Sequence, residues 1–249
     1  MANLTHLFGV GIAYGPLWSL AVEEQFYLVW PSIVGRVRTA TVGITSAALF
    51  LLAPLFRWLG FQHGYGDSQL YYYSWFAYDG LALGALIAVV LRTKWATATA
   101  VARVATATLL VSSVLLAVGI PRGLLTRTTA LGAAFEYTVV NLFFGSVLAL
   151  SIVAGATRWK ALVAPRWLVF FGYISYGLYL CHLLIFQSYD RVLGRTADPT
   201  LGEMVRRFVI AGGISVGVAW ISRRYFEERF LRLKDRWDMK DPRPLGDRG

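Results

Sequence analysis

The stretch WSLAVEEQFYLVWP, residues 18–31, places two adjacent acids in an otherwise aromatic and aliphatic segment. In a helix, Ser19, Glu23 and Tyr27 share one face, whereas Glu24 lies about 100° further round. An ionisable side chain at membrane depth costs roughly 2.5–3.5 kcal/mol on insertion scales, so it requires a partner, a cavity or a function. The pair therefore indicates a polar site. The alternative is that both acids lie among lipid headgroups near a helix N-terminus, where the helix dipole favours them.

A second group of polar residues occurs in FFGYISYGLYLCHLLIF, residues 170–186. Ser175, Tyr179 and His182 are spaced by four and three residues, which aligns them along one face of an apolar helix. An imidazole is suited to act as a general base near neutral pH. A histidine that is only hydrogen-bonded inside a helix bundle is the alternative interpretation.

A third candidate is Asp79 in SWFAYDGLALGALIA. It precedes several small residues that favour close helix contact, so the acid is either an N-terminal helix cap or part of a site. The preceding loop, residues 60–74, contains Tyr71, Tyr72 and Tyr73. We expect these tyrosines to form an interfacial aromatic belt, with a platform for substrate as the alternative.

The elements that must position these groups are membrane helices. The 249 residues are 57% hydrophobic and 15% charged, with a positive mean hydropathy, which is atypical of a soluble globular domain. Because backbone groups in lipid must be paired internally, we expect an all-α polytopic bundle of about seven transmembrane helices. Most of the apolar stretches approach the ~20 residues that cross a bilayer. They lie near residues 26–35, 40–59, 75–91, 101–120, 131–154, 167–187 and 205–222.

The net charge of +10 is unevenly distributed, which favours a membrane orientation over nucleic-acid binding. With seven spans, 17 of the 24 Lys and Arg residues fall on the side that also holds the C-terminus. The positive-inside rule places that side in the cytoplasm of a multi-pass plasma-membrane protein. The single cysteine, Cys181, excludes a disulfide framework, and we expect no metal site and no permanently bound cofactor.

The segment WSLAVEEQFYLVWP resembles the hallmark of acyltransferase family 3, the multi-helix membrane O-acyltransferases that modify cell-surface and secreted glycans. Three further segments are similar to family motifs and follow in the family's order: FAYDGLALGALIA, FFGYISYGLYLCHLLI and SRRYFEERFLRLKDR. Four matches in order over residues 3–236 make the resemblance specific.

The resemblance implies transfer of an acyl group, commonly acetyl from acyl-CoA, to a carbohydrate hydroxyl at or beyond the membrane. The expected partners are therefore the lipid bilayer and a carbohydrate acceptor, without nucleic acid. Catalytic roles are expected for Glu23, Glu24 and His182. Substrate-binding roles are expected for Trp18, Ser19, Tyr27, Asp79, Tyr176 and Tyr179. From charge alone, four cations on the cytoplasmic side are assigned to the CoA phosphates: Arg36, Arg38, Arg92 and Lys94.

The resemblance departs from the family pattern at the N-terminus. The family carries a basic residue and an essential histidine in its first transmembrane helix, whereas only 17 residues precede Trp18. We therefore expect residues 1–235 to be the C-terminal part of the family's transmembrane domain, N-terminally truncated and inactive alone. A separate chain that supplies the missing helices would restore activity. Residues 236–249 are expected to be a disordered cytoplasmic tail. The alternatives from other classes are a proton-coupled transporter or flippase and an inactive structural fragment.

Overall fold

The computed structural model describes residues 17–155, 161, 164–194 and 198–230, and these are almost entirely helical, with no strand among them. The chain divides into two compact units, Met1–Val163 and Ala164–Gly249. A helical membrane protein is the fold class that the apolar composition predicts, because a helix pairs its own backbone groups in lipid.

The first unit contains seven described helices around α2, which packs against α5 and α7. The helix α7 packs in turn against α6, whose buried residues Ala105, Ser112 and Gly119 recur every seventh position. Such small residues allow close approach of membrane helices. The helices are α1 (Leu17–Val34), α2 (Thr39–Gln62), α3 (Asp67–Tyr72), α4 (Ser74–Ala77), α5 (Asp79–Val90), α6 (Ala98–Gly119) and α7 (Ala130–Gly155).

The second unit is a helix pair in its described part. The helix α8 (Arg166–Leu193) packs against α9 (Leu201–Ser222), which continues through the π-helical turn Arg223–Glu227. The contact is made by small residues, since Gly177 of α8 lies against Ala219 of α9. At the start of α9, Thr200 and Glu203 form a capping box that satisfies free backbone N–H groups.

Five helices in the described residues are long and apolar enough to cross a membrane: α2, α6, α7, α8 and the continuous helix Leu201–Phe230. The polytopic class is thus confirmed, although two of the seven apolar stretches form other elements. Residues 26–35 belong to α1, whose 18 residues include two acids and are less apolar. The stretch 75–91 is interrupted at Tyr78, so it forms the four-residue α4 and the 12-residue α5.

The tyrosine loop contributes to the core of the first unit rather than to a surface belt alone. Tyr73 is 1% exposed and forms a buried cluster with Leu70, Phe76 and Ala133. The predicted interfacial position is therefore wrong for Tyr73, because the turn between α3 and α4 directs its ring inward. The side chain of Tyr72 and residues 236–249 lie outside the part that the structure describes.

Candidate active site

Arg57 of α2 is a fully buried cation in the first unit. Its Nε donates to the backbone oxygen of Ala134 at 3.0 Å, and Nη1 donates to that of Phe76 at 2.6 Å. Its Nη2 donates to Oδ2 of Asp79 at 2.9 Å and to Oγ1 of Thr138 at 2.6 Å. One guanidinium therefore connects α2 with α4, α5 and α7, and its charge is compensated, as a buried charge requires.

Asp79 is both the counter-ion of Arg57 and a group at the start of α5. Its side chain is buried, and its Oδ1 accepts a hydrogen bond from the N–H of Gly80 at 3.1 Å. Its Oδ2, bonded to Arg57, also lies 3.4 Å from Oγ1 of Thr138. The carboxylate thus organises three helices. Its substrate-binding role stays a prediction.

Gln25 attaches the glutamate segment to this network. Its Oε1 accepts hydrogen bonds from Oγ of Ser74 at 2.6 Å and from the hydroxyl of Tyr78 at 3.2 Å. Ser74 begins α4, and Tyr78 is the residue at which the helix is interrupted before Asp79. Gln25, which follows the two acids in sequence, therefore links α1 to the helix interruption at Tyr78.

Glu23 is half-buried and Glu24 is exposed on α1. Within the residues that the structure describes, neither carboxylate makes a hydrogen bond or an ion pair. The preceding residues Ala21 and Val22 are buried, and the following residue Gln25 is anchored. The two acids are thus carried on a helix segment that is held on both sides.

The other residues predicted on α1 differ in exposure. Trp18 and Ser19 are half-buried, whereas the ring of Tyr27 is 60% exposed. The ring centroids of Trp18 and Tyr71 are 4.4 Å apart, and the guanidinium of Arg127 lies 5.2 Å from the centroid of Tyr71. Trp18 therefore joins an aromatic and cationic cluster, as the substrate-platform interpretation of Tyr71 would require.

His182 lies in α8 of the second unit and is half-buried. Its Nδ1 is 2.8 Å from the backbone oxygen of Tyr179 and 3.1 Å from that of Leu178. Because carbonyl oxygens only accept hydrogen bonds, Nδ1 carries the proton in this arrangement. In the neutral ring Nε2 then has the free lone pair, and no donor in the described part of the chain reaches it.

The tyrosines predicted beside His182 are both accessible. Tyr176 is 53% exposed and Tyr179 is 40% exposed, and the ring of Tyr179 lies 5.9 Å from the imidazole. Ser175 is exposed, with its hydroxyl bonded to the backbone oxygen of Gly172 at 2.8 Å. The polar face predicted for this helix therefore consists of an oriented imidazole and an adjacent phenol.

A polar cavity of about 630 Å³ lies between α8 and α9 and was not anticipated from the sequence. Arg207 donates from Nε and Nη2 to the two carboxylate oxygens of Asp190, at 2.7 and 2.9 Å, and its guanidinium lies 4.7 Å from the ring centroid of Phe186. Glu203 and the hydroxyl-bearing Tyr189 also line the cavity. Ring faces combined with fixed charges are typical of a ligand site.

The four cations assigned to CoA phosphates lie in the first unit and are all exposed: Arg36, Arg38, Arg92 and Lys94. The first two are in the link between α1 and α2, and the other two follow α5. Within the described ranges, no group of three or more His, Cys, Asp and Glu side chains is arranged to hold a metal ion.

Arg57 and Gln25 were not predicted to be important, although the sequence around each contains an indication of its role. Arg57 is a cation inside the apolar stretch 40–59, and a charge at that depth predicts an opposite charge such as Asp79. Gln25 is a polar amide next to the two acids in the same apolar segment. Asp190 and Arg207 lie near helix ends, where charged residues are common, so their pairing had no comparable signal.

The helices and their polar residues define a polytopic membrane protein with ionisable side chains within its apolar helices. The family model for the acyltransferase domain of acyltransferase family 3 matches residues 3–224. No curated protein and no solved structure matches the chain. Because the family match covers most of the 249 residues, the chain belongs to acyltransferase family 3, a family of membrane O-acyltransferases.

Proposed function

We propose that this acyltransferase moves an acyl group, acetyl in the simplest case, from acyl-CoA to a hydroxyl of a cell-surface or secreted carbohydrate. The observation that carries the proposal is the orientation of His182. The contacts of Nδ1 with two backbone oxygens leave Nε2 as the unprotonated nitrogen of the neutral ring. Such a nitrogen is suited to take the proton of an acceptor hydroxyl, a step typically worth 10²–10⁴-fold in rate.

The proposed reaction balances without a further reagent. Nε2 of His182 takes the hydroxyl proton, and the acceptor oxygen attacks the thioester carbonyl carbon. The carbon–sulfur bond breaks as the tetrahedral oxyanion collapses, and the proton then passes to the CoA thiolate. The products are an ester and free CoA. The exposed hydroxyls of Tyr176 and Tyr179 are proposed to bind substrate on the same helix.

Glu23 and Glu24 are proposed as catalytic carboxylates of the first unit, with Trp18, Ser19, Tyr27 and Asp79 as the substrate-binding residues around them. Their support is that neither acid is neutralised by a described residue, although Gln25 fixes the segment that carries them. A carboxylate accepts hydrogen bonds from hydroxyl groups, which suits a sugar acceptor.

The proposed acyl donor and the proposed carbohydrate acceptor are each inferred from a different part of the chain. The exposed residues Arg36, Arg38, Arg92 and Lys94 suit the phosphates of CoA. The cavity near Asp190 and Arg207 offers the carboxylate and guanidinium groups that bind a hydroxyl-rich molecule. We infer that the donor approaches from the cytoplasm, where the positive-inside rule places the first set of cations.

The test is an acyl-transfer assay on membranes that contain the chain, both alone and together with a separate chain that supplies the family's N-terminal helices. Membranes are incubated with acetyl-CoA labelled in the acetyl group, and the label is counted in the carbohydrate fraction of the cell envelope. Mild alkali should release the label, because esters are base-labile. Membranes with the His182→Asn chain are the matched control. Equal label in the two preparations, or in membranes without the chain, would overturn the proposal.

A further inference from the structure

An apolar cavity of about 390 Å³ lies between α5, α6 and α7 of the first unit. Its wall is almost wholly hydrocarbon and includes Leu83, Ile87, Val101 and Leu142. Its volume is near the lower end of the roughly 300–1,000 Å³ of small-molecule sites, so it suits a single chain rather than a whole phospholipid.

The hydroxyl groups in the wall do not make the cavity polar. Thr93 donates to the backbone oxygen of Val90 at 2.8 Å, and Ser146 donates to that of Leu142 at 2.7 Å. Two of the three hydroxyl residues in the lining therefore use their protons within their own segments, and Thr108 is the third. Such a wall favours hydrocarbon over a sugar, because a buried sugar hydroxyl without a partner loses its hydrogen bonds to water.

The cavity opens on the surface that membrane helices present to lipid. Val90 and Val104, which both line it, remain 45% and 69% exposed. Val104 belongs to α6, one of the helices long and apolar enough to cross the membrane. A lipid chain can therefore enter sideways from the bilayer.

One end of the cavity carries positive charge. Trp95 lines the cavity and is 78% exposed, and Nζ of Lys94 lies 5.3 Å from the centroid of its ring. Arg92, also exposed, lies two residues before Lys94. Tryptophan with Lys or Arg at the end of an apolar helix marks the headgroup level of a membrane.

From this arrangement we propose that the cavity binds one acyl chain of an anionic phospholipid, whose headgroup phosphate lies at Lys94 and Arg92. Charge complementarity favours the anionic lipid, since the choline cation of a zwitterionic lipid offsets the attraction of its phosphate to the two cations. The site shares Lys94 and Arg92 with the cations proposed for the CoA phosphates, but it includes no proposed catalytic residue, so lipid binding can be measured without acyl transfer.

The experiment reads the fluorescence of Trp95 in the detergent-purified full chain. Phosphatidylglycerol or phosphatidylcholine with brominated acyl chains is titrated in, and bromine quenches nearby indoles. The signal of Trp95 is the difference between the wild type and Trp95→Phe. We expect saturable quenching by phosphatidylglycerol, and about fivefold weaker binding after Lys94→Ala, which removes one cation near the headgroup.

Two further variants test the contribution of positive charge to lipid binding separately from that of the cavity volume. Arg122→Ala removes another exposed arginine, outside the cavity lining, and should leave the titration unchanged. Ala105→Phe places a ring in the lining and should abolish the Trp95-specific quenching, with far-ultraviolet circular dichroism as the folding control. The exposed Lys94→Ala variant keeps the test informative if Ala105→Phe fails to fold.

Three results would overturn the proposal. The first is equal quenching of the Trp95 signal by the two lipids, and the second is unchanged quenching in folded Ala105→Phe. The third is displacement of brominated phosphatidylglycerol by oleoyl-CoA at lower concentration than by unlabelled phosphatidylglycerol. That last outcome would assign the cavity to the acyl chain of the donor.

Discussion

Nη2 of Arg57 donates to Oδ2 of Asp79 across 2.9 Å, and both side chains are buried among apolar helices. Nε and Nη1 of the guanidinium also donate, to the backbone oxygens of Ala134 and Phe76. A buried charge pair stabilises the fold only when both members are present. When one partner is removed, the other charge remains buried without a counter-ion.

The Arg57→Met variant should lose about 3–5 kcal/mol of unfolding free energy, because Asp79 is left as an uncompensated buried charge. The measurement is unfolding of the purified chain by a denaturing detergent, followed by circular dichroism. Arg122→Met is the matched control, and its exposed position predicts a change within about 0.5 kcal/mol.

The double variant Arg57→Met with Asp79→Leu should recover much of the stability that the single variant loses, because an apolar pair of similar volume needs no compensation. A double variant that is no more stable than Arg57→Met would contradict the assignment of the loss to an unpaired Asp79.

The Gln25→Ala variant should reduce acyl transfer while leaving helix content unchanged. It removes the acceptor for Ser74 and Tyr78, and a buried donor left unsatisfied costs about 1–3 kcal/mol. The segment that carries Glu23 then loses its attachment. Leu28→Ala, at a side chain 80% exposed on the same helix, is the matched control in the labelled-acetyl assay. Full activity in Gln25→Ala would exclude this positioning role.

Glu23→Gln and Glu24→Gln should each lower acyl transfer by about 10²-fold or more, the lower range for a lost proton-transfer group. The amide keeps the shape of the acid but removes its charge, so membrane insertion should persist. The measurement compares label transfer at equal amounts of membrane-inserted chain. Wild-type transfer in both variants would refute a catalytic role for the pair.

His182→Asn should lower transfer by roughly 10²–10⁴-fold, whereas His182→Ala should also weaken the helix pair. The asparagine amide can still donate to the backbone oxygen of Tyr179, as Nδ1 does at 2.8 Å, but it cannot accept a proton. Activity is read from label transfer and stability from detergent unfolding. If Asn preserves activity, the imidazole is a structural hydrogen-bond donor only.

The C-terminus should lie in the cytoplasm, because seven spans would put 17 of the 24 Lys and Arg residues at or near the side where the chain ends. A green fluorescent protein fused after Gly249 should be fluorescent, and alkaline phosphatase at the same place should be inactive. The reverse pair of results would require the opposite orientation.

The transmembrane segments were the most predictable part of the fold. A long apolar stretch in lipid must form a helix, because the backbone polar groups have no other hydrogen-bond partners there. The stretches near 101–120 and 131–154 form α6 and α7 as expected. The interrupted stretch at 75–91 was not predictable from hydropathy. Its break at Tyr78 is stabilised by side chains from α1 and α2, which are distant in sequence.

The candidate site was predictable in its residue types but not in its connections. The sequence distinguished Glu23, Glu24 and His182 because each interrupts an apolar pattern at a measurable cost. It could not assign the partner of Asp79, and it could not orient Tyr73, whose burial depends on the turn between α3 and α4. Such relationships arise from tertiary packing, which hydropathy does not encode.

The short helix α5 separates the buried ion pair from the two exposed cations that follow this helix. Arg92 and Lys94 follow this helix, and Asp79 lies 13 residues before Arg92. At 1.5 Å per residue that is about 20 Å, or two-thirds of a ~30 Å hydrocarbon layer. At the helix break, the backbone oxygen of Phe76 accepts a hydrogen bond from Nη1 of Arg57 at 2.6 Å. Loss of the arginine would therefore leave this backbone oxygen at the helix break without its guanidinium donor.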